Sequence, residues 1–227
     1  MSSTGSTGAS DIRRSDSDPR HEEPPDGATT ALPPYDAIAD LWRRDRLATS
    51  FRERRFLERL IDGLPEGARV LDLGCGCGEP VGRFLARAGL EVTGIDASER
   101  LLEHARRALP GATLILGDMR TVEVDGPFDA IVAWDSVFHL PRDDHAALYR
   151  RMAGWLRPGG RLLLSLGGSG APDFMSEMHG VPFFYSGHEP DEAVALLEGA
   201  GLRVEHREVD DPTSRGHLAI LAVREGR

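Results

Sequence analysis

The stretch Val70-Leu71-Asp72-Leu73-Gly74-Cys75-Gly76-Cys77-Gly78-Glu79-Pro80 decides the fold of this chain. A short apolar run carrying one acid, Asp72, empties into a loop with glycine at every second position. A helical pattern follows, with Val81, Phe84, Leu85 and Ala88 on one face. Residues without a Cβ let the backbone turn sharply and let a ligand lie directly against the main chain. Gly74, Gly76 and Gly78 therefore point to a nucleotide-type ligand in a strand-to-helix turn. The dinucleotide fingerprint G-x-G-x-x-G would need its third glycine at position 79, where the chain has Glu79. A carboxylate at that place would repel a pyrophosphate seated on a helix N-terminus.

Further strands follow in the same style. Leu90-Glu91-Val92-Thr93-Gly94-Ile95-Asp96 ends in an acid, and so does Ala112-Thr113-Leu114-Ile115-Leu116-Gly117-Asp118, continued by Met119-Arg120. Asp96 lies at roughly the 20-residue offset from the glycine loop at which a carboxylate reaches a ribose; capping the helix that starts near Ala97 is its alternative role. Phe128 to Ala133 and Arg161 to Leu166 are two more apolar runs, the second entered through Trp155-Leu156-Arg157-Pro158-Gly159-Gly160, where proline and glycine stop a helix. Strands near 69–74, 91–96, 112–117, 129–134 and 161–166 alternate with helices, which predicts a parallel sheet with right-handed crossovers and ligands at its carboxyl edge. After a helix over Pro190 to Ala200, the runs Leu202 to Val209 and His217 to Val223 are too close for a crossover and predict an antiparallel hairpin. The fold class expected is α/β, a Rossmann-like doubly wound sheet of about seven strands, mostly parallel, with a C-terminal antiparallel hairpin.

These ordered motifs, over about residues 35 to 224, resemble the class I S-adenosylmethionine (SAM) dependent methyltransferases of the small-molecule type. The resemblance implies SAM as cofactor, whose sulfonium and ammonium make Asp72 and Glu79 favourable neighbours. It implies a donor site built from Asp72, Gly74, Cys75, Gly76 and Gly78, with Asp96 and Ala97 at the ribose. Asp118 would accept from the adenine amino group, Met119 would cover the ring, and Arg120 and Trp134 would stand at the same edge. An N-terminal aromatic in a segment like Tyr35-Asp36-Ala37-Ile38-Ala39 often touches SAM in this family; packing is the alternative for Tyr35.

Methyl transfer from a sulfonium is an in-line displacement, so positioning and exclusion of water provide most of the acceleration. An alcohol or phenol acceptor also needs its proton removed, a task suited to histidine. His139, on the loop after the fourth strand, is the candidate base, and Asp135 could orient it or a substrate. A structural histidine in the Phe138-His139-Leu140-Pro141 turn is its competing role; His179 and His188 are further candidates. The function expected is methyl transfer to oxygen or nitrogen of a small molecule. Two other classes stay open: a SAM-fold protein performing a non-methylating reaction in natural-product assembly, and a non-catalytic SAM-binding regulator. A NAD-dependent dehydrogenase is more distant.

Composition narrows the chemistry. Among 227 residues with formal net charge -10, all 27 basic residues are arginine, and lysine, asparagine and glutamine do not occur. The acidic balance argues against a nucleic-acid partner. Without lysine there is no Walker A loop and no Schiff base, and the lysine-based catechol-type methyltransferases lose weight. The Asp/Asn-Pro-Pro-Tyr loop of amide- and base-modifying relatives is replaced by Trp134-Asp135-Ser136-Val137. Cys75 and Cys77 are spaced for neither a zinc clamp nor a disulfide, and no metal site is assigned. No apolar run reaches membrane length and no leader has a hydrophobic core, so a cytoplasmic enzyme without membrane contact is expected. Residues 1–30 have little to bury and are expected to be a disordered tail. One catalytic domain over 31–227 follows, with a helical cap over 31–66, including a helix from about Thr49 to Asp62, and a substrate lid over 167–188 rich in Phe and Met. The oligomeric state is not encoded in any motif.

Overall fold

The computed structural model describes residues 31–167, 173–210 and 217–226. The tail expected over 1–30 lies outside the described residues, as does part of the expected lid.

Residues with alternating apolar side chains on both sides build a sheet that is covered twice. β1 (Arg69–Leu73) pairs in parallel with β2 (Glu91–Asp96) and β4 (Phe128–Ala133); β3 (Thr113–Leu116) joins β2 at the edge. β5 (Leu156–Gly167) runs parallel to β4, and the hairpin of β8 (Leu202–Val209) and β9 (His217–Arg224) adds antiparallel to β5. The order is β3-β2-β1-β4-β5-β9-β8, a seven-stranded mixed sheet with its antiparallel hairpin at the C-terminus.

The period of two sorts side chains between two cores. Leu71, Leu73, Ile131 and Ala133 point to one, where α5 (Arg142–Trp155) contributes Leu148, Tyr149 and Met152 and α6 (Pro190–Gly199) contributes Ala193 and Leu197. Val70, Ala130 and Val132 point to the other, under Phe56, Leu57 and Leu60 of α2 (Arg54–Ile61) and Leu85 of α3 (Val81–Arg87). α4 (Glu99–Ala108) packs Leu102 and Ala105 against Cys75, and its first turn is capped by the Ser98 hydroxyl, which accepts from the Leu101 N–H at 3.1 Å.

Three elements differ from the sequence reading. The helix expected over Thr49 to Asp62 begins only at Arg54, because Thr49 is extended and closes α1 (Ala39–Ala48), the first helix of the expected cap. Backbone of β5 is extended from Leu156, five residues before the expected strand, and Gly159 at φ 77 carries the kink. The segment expected to be irregular holds a second, two-stranded sheet of β6 (Phe174–Met178) and β7 (Val181–Tyr185), turned at His179-Gly180, both at positive φ.

The α5 core contains one misfit. Tyr149 is fully buried, and among the described residues nothing bonds its hydroxyl. An unpaired hydroxyl in an apolar core costs stability, so Tyr149→Phe is expected to raise the unfolding free energy by about 1 kcal/mol. Leu71→Ala, at a fully buried position of the central strand, should lower it by about 3 kcal/mol. Urea titrations followed by circular dichroism check both; a destabilised Tyr149→Phe protein would mean that the hydroxyl has a partner.

Candidate active site

The carboxyl ends of β1, β2 and β4 open into a cleft of about 880 Å³. Of the residues expected at the cofactor and the chemistry, the cleft brings together all but Gly78, Arg120 and the further candidates His179 and His188. Gly78, at φ +75, lies instead beneath α4, where a Cβ would come within 2.8 Å of Leu109. Its lack of a side chain serves helix packing. Arg120 does not line the cleft because its guanidinium is occupied: Nε donates to both oxygens of Asp118 at 3.0 and 2.9 Å, and another nitrogen reaches Asp144 at 3.2 Å.

The glycine loop is held by the strand beside it. The N–H groups of Gly74 and Cys75 both donate to the Ile95 carbonyl, and that of Gly76 donates to Asp96 Oδ2 at 2.8 Å. Gly74 has φ +75, and a Cβ there would sit 2.3 Å from Ser136, so no other residue fits. Cys75 and Cys77 are buried free thiols.

Four carboxylates face this cradle. Asp96 accepts from Gly76 and, through Oδ1, from the Ser98 N–H at 2.8 Å; burial still pushes its carboxyl up to about 6. Asp72 is 2% exposed and its Oδ2 has no partner among the described residues. Burial, then the neighbouring Asp96, pushes Asp72 up to about 7. Burial acts on Asp118 in the same sense, but the hydrogen bonds from Arg120 outweigh it and hold that carboxyl below its usual range. Glu79 also borders the cleft and is paired with Arg83 at 2.5 Å and Arg43 at 3.3 Å.

Arg46 is the cation that sequence reasoning missed. It lines the cleft from α1 and is ion-paired with the buried Glu53. Burial lowers its pKa, while Asp135 and Asp72 act in the opposite sense. No signal separates it from Arg43 and Arg44 in the same helix, since only the packing of α1 over the loop turns one arginine inward. Trp42 of the same helix lies over Gly76, where a Cβ would be 3.0 Å from its ring.

At the outer end of the cleft, His139 is almost fully buried. Its Nε2 is 2.8 Å from the Tyr35 hydroxyl, and its Nδ1 is 2.9 Å from the Phe184 carbonyl of β7. The carbonyl only accepts, so Nδ1 carries the proton and Nε2 accepts from Tyr35. Burial lowers the pKa of His139 to about 4 and raises that of Tyr35 well above its usual value. The β6–β7 hairpin and the cap meet here: Tyr35 packs edge-on against Phe183 at 4.9 Å, and His179 pairs with Asp45 of α1 at 2.9 Å. His188 stands farther off, 5.2 Å ring to ring from His145.

Asp135 does not pair with His139. It has φ 52, unusual for a residue with a side chain, and is fixed by Ser165, whose Oγ accepts from the Asp135 N–H at 2.7 Å and lies 3.3 Å from Oδ1. The same Oδ1 is 3.2 Å from Nδ1 of His217, a residue the sequence reading placed only in a strand.

The cleft suits a ligand with an apolar ring and positive charge. Ile95, Leu101 and Met119 supply flat apolar walls, the acids outnumber the single inward arginine, and the unpartnered Asp72 oxygen is placed for a cationic donor. A phosphate ester would meet carboxylates instead.

Comparison with known proteins agrees with this chemistry. A family model described as a methyltransferase domain matches residues 70–160. The chain is 34% identical over 152 residues to 27-O-demethylrifamycin SV methyltransferase of Amycolatopsis mediterranei, covering 57% of this chain and 55% of that protein. It is 32% identical over 160 residues to a ubiquinone biosynthesis O-methyltransferase of Xanthomonas axonopodis pv. citri, covering 62% and 65%. The chain thus spans between about half and two thirds of the length of these relatives. The fold is that of Burkholderia thailandensis 1,6-didemethyltoxoflavin-N1-methyltransferase, crystallised with S-adenosylhomocysteine, at a TM-score of 0.68 and 21% identity over 91% of this chain and 94% of that one. In its strand-end acids, its glycine cradle, a methyltransferase-domain match over residues 70–160 and a shared fold, the chain is similar to these methyltransferases.

Proposed function

We propose that the protein transfers a methyl group from SAM to an oxygen or nitrogen of a small molecule. The observation that carries this reading is the buried Asp72, one oxygen of which has no partner among the described residues, beside a glycine cradle where the acids outnumber the single arginine. SAM supplies the electrophilic methyl. Asp72 takes its ammonium, Arg46 its carboxylate and Asp96 its ribose hydroxyls, while Asp118, steadied by Arg120, receives the adenine amino group above Met119. Gly74, Cys75, Gly76, Ala97 and Trp134 shape the pocket around it.

Residues 31–66 act as the cap and 167–188 as the substrate lid of one domain over 31–227. A second, open pocket lies between Leu32, Pro33 and Pro34 on one side and Met175, Pro182 and Phe184 on the other, with Leu32, Pro33 and His139 shared with the donor cleft. Its apolar lining favours a flat, weakly polar acceptor over a charged one. His139 and Tyr35 tie cap to lid: with both ring nitrogens bonded and its pKa near 4, His139 serves closure better than proton removal. The relatives named above support both acceptor elements, one O-methyltransferase and one N1-methyltransferase. The two buried free thiols fit a reducing, cytoplasmic setting.

Calorimetric titration with SAM, followed by detection of S-adenosylhomocysteine, tests the reading; absence of binding heat at millimolar SAM overturns it, and binding without that product with any acceptor favours a sensor or a non-methylating enzyme. Asp96→Ala should weaken SAM binding by about 10- to 100-fold, the range for a hydrogen-bonded charged partner, with the circular dichroism spectrum unchanged.

The acid pair also sets a pH dependence. Because the folded-state pKa of Asp72 is raised to about 7, the ligand-free protein holds a proton there that the unfolded chain has already released, and its stability should fall as pH rises from about 4 to 7. A cationic ligand favours the ionised carboxylate. SAM affinity is therefore expected to rise between pH 5.5 and 7.5 and then level off, and Asp72→Asn should bind more weakly with a shallower rise that ends nearer pH 6, where Asp96 ionises. Calorimetry across that range checks it.

A further inference from the structure

The methyltransferase reading leaves unanswered which group takes the acceptor's proton. Of the two histidines nearest the Asp135 loop, His139 lines the cleft and has both nitrogens engaged, by Tyr35 and by the Phe184 carbonyl. His217 does not. It begins β9, opposite Gly167 at the carboxyl end of β5, and is about one third exposed. Its Nδ1 lies 3.2 Å from Oδ1 of Asp135, a residue that lines the donor cleft, and among the described residues no group bonds its Nε2.

The setting holds this ring still. Phe138 stacks on it at 5.7 Å and 27°, Tyr185 of the lid stacks on Phe138 at 5.8 Å and 22°, and Phe174 stacks on Tyr185 at 5.2 Å and 10°. Asp135 is held in turn by Ser165 of β5 through both its N–H and its carboxylate, in a backbone conformation that residues with a Cβ rarely adopt. Asp210, after β8, accepts the His217 backbone N–H at 2.9 Å, and its other oxygen stands 3.9 Å from Nδ1. Two carboxylates thus face one nitrogen of a ring whose other nitrogen has no partner among the described residues. A carboxylate beside one ring nitrogen balances the charge that forms when the other takes a proton.

We propose that His217, oriented by Asp135, is the catalytic base and that the acceptor is a hydroxyl compound, a phenol or an enol. The assignment rests on the methyltransferase reading. The acceptor O–H bond breaks with its proton passing to His217 Nε2, an oxygen lone pair forms the O–CH3 bond, and the electron pair of the broken C–S bond stays on sulfur. A neutral amine already presents its lone pair and needs no base before attack, so a poised dyad has its use with oxygen.

The full-length chain tests this with three measurements on wild type, His217→Ala and Asp135→Asn, the asparagine chosen because it tolerates positive φ. Calorimetry with SAM should give His217→Ala a Kd within about threefold of wild type; no binding in wild type removes the methyltransferase reading and this assignment with it. Release of S-adenosylhomocysteine is then followed with ring-substituted phenols of graded acidity and with anilines. His217→Ala is expected to lower kcat by about 100-fold or more with unsubstituted phenol, with little change in KM. The loss should shrink as the phenol becomes more acidic and nearly vanish with 4-nitrophenol above neutral pH. An equal loss across the series, which a merely structural tie between β9 and the Asp135 loop would produce, overturns the proposal, as does turnover of anilines with no phenol accepted. Nitrogen-15 NMR of the imidazoles decides independently of turnover. Wild-type His217 should carry its proton on Nδ1, with Asp135→Asn shifting it toward Nε2; an Nε2–H ring in the wild type overturns the proposal.

Discussion

A carboxylate at the end of an interior parallel strand has to be satisfied in a place from which water is nearly excluded. Asp72 and Asp96 end neighbouring strands, and the chain can bond only one of them: Asp96 takes two backbone N–H groups, whereas one oxygen of Asp72 has no partner among the described residues. Burying an unpaired charge is costly, and the rise of the Asp72 pKa to about 7 is the form that cost takes. A positively charged ligand group would satisfy that oxygen. The surroundings suit one: a loop without side chains at Gly74 and Gly76, a single inward arginine balanced by Glu53, and apolar walls.

Two tethers define the acceptor end. One runs from Tyr35 through His139 to the Phe184 carbonyl and joins cap to hairpin; the other runs from Ser165 through Asp135 to His217 and joins the loop after β4 to the last strand. Both are short and polar and lie beside stacked aromatic rings; the first is buried, while the Asp135–His217 pair is about one third exposed. They differ in what they leave free. The first consumes both nitrogens of its histidine, while the second consumes only one.

The architecture was legible because its signals are local. Apolar runs in the central strands had to be continuous once both faces were covered, and the close spacing of Leu202–Val209 and His217–Val223 left room only for a hairpin. The acids ending the strands were legible for the same reason, and the structure draws Asp72, Asp96 and Asp118 to one edge. The readings that changed share a different cause. Gly78 looks like its neighbours Gly74 and Gly76 in sequence, but alternate residues of a turn face opposite ways, and it meets α4. Arg120 was placed at the ligand because it follows Asp118, whereas its side chain folds back on that same acid. The β6–β7 hairpin turns through His179-Gly180, a weak turn signal without the familiar asparagine or aspartate.

Residue order by itself determined the doubly wound sheet, the glycine cradle and the acids around it, since strand period, turn sterics and the position of charge at strand ends act within a few residues of one another. Tertiary structure alone decided which arginine of α1 turns inward and which histidine partners Asp135. His217 lies 82 positions from Asp135 in the chain and His139 only four, yet pairing of β9 with β5 carries the distant imidazole to the carboxylate while the Phe184 carbonyl of β7 holds the near one elsewhere. Contacts of that kind arise from strand register across a sheet, a property no local pattern records.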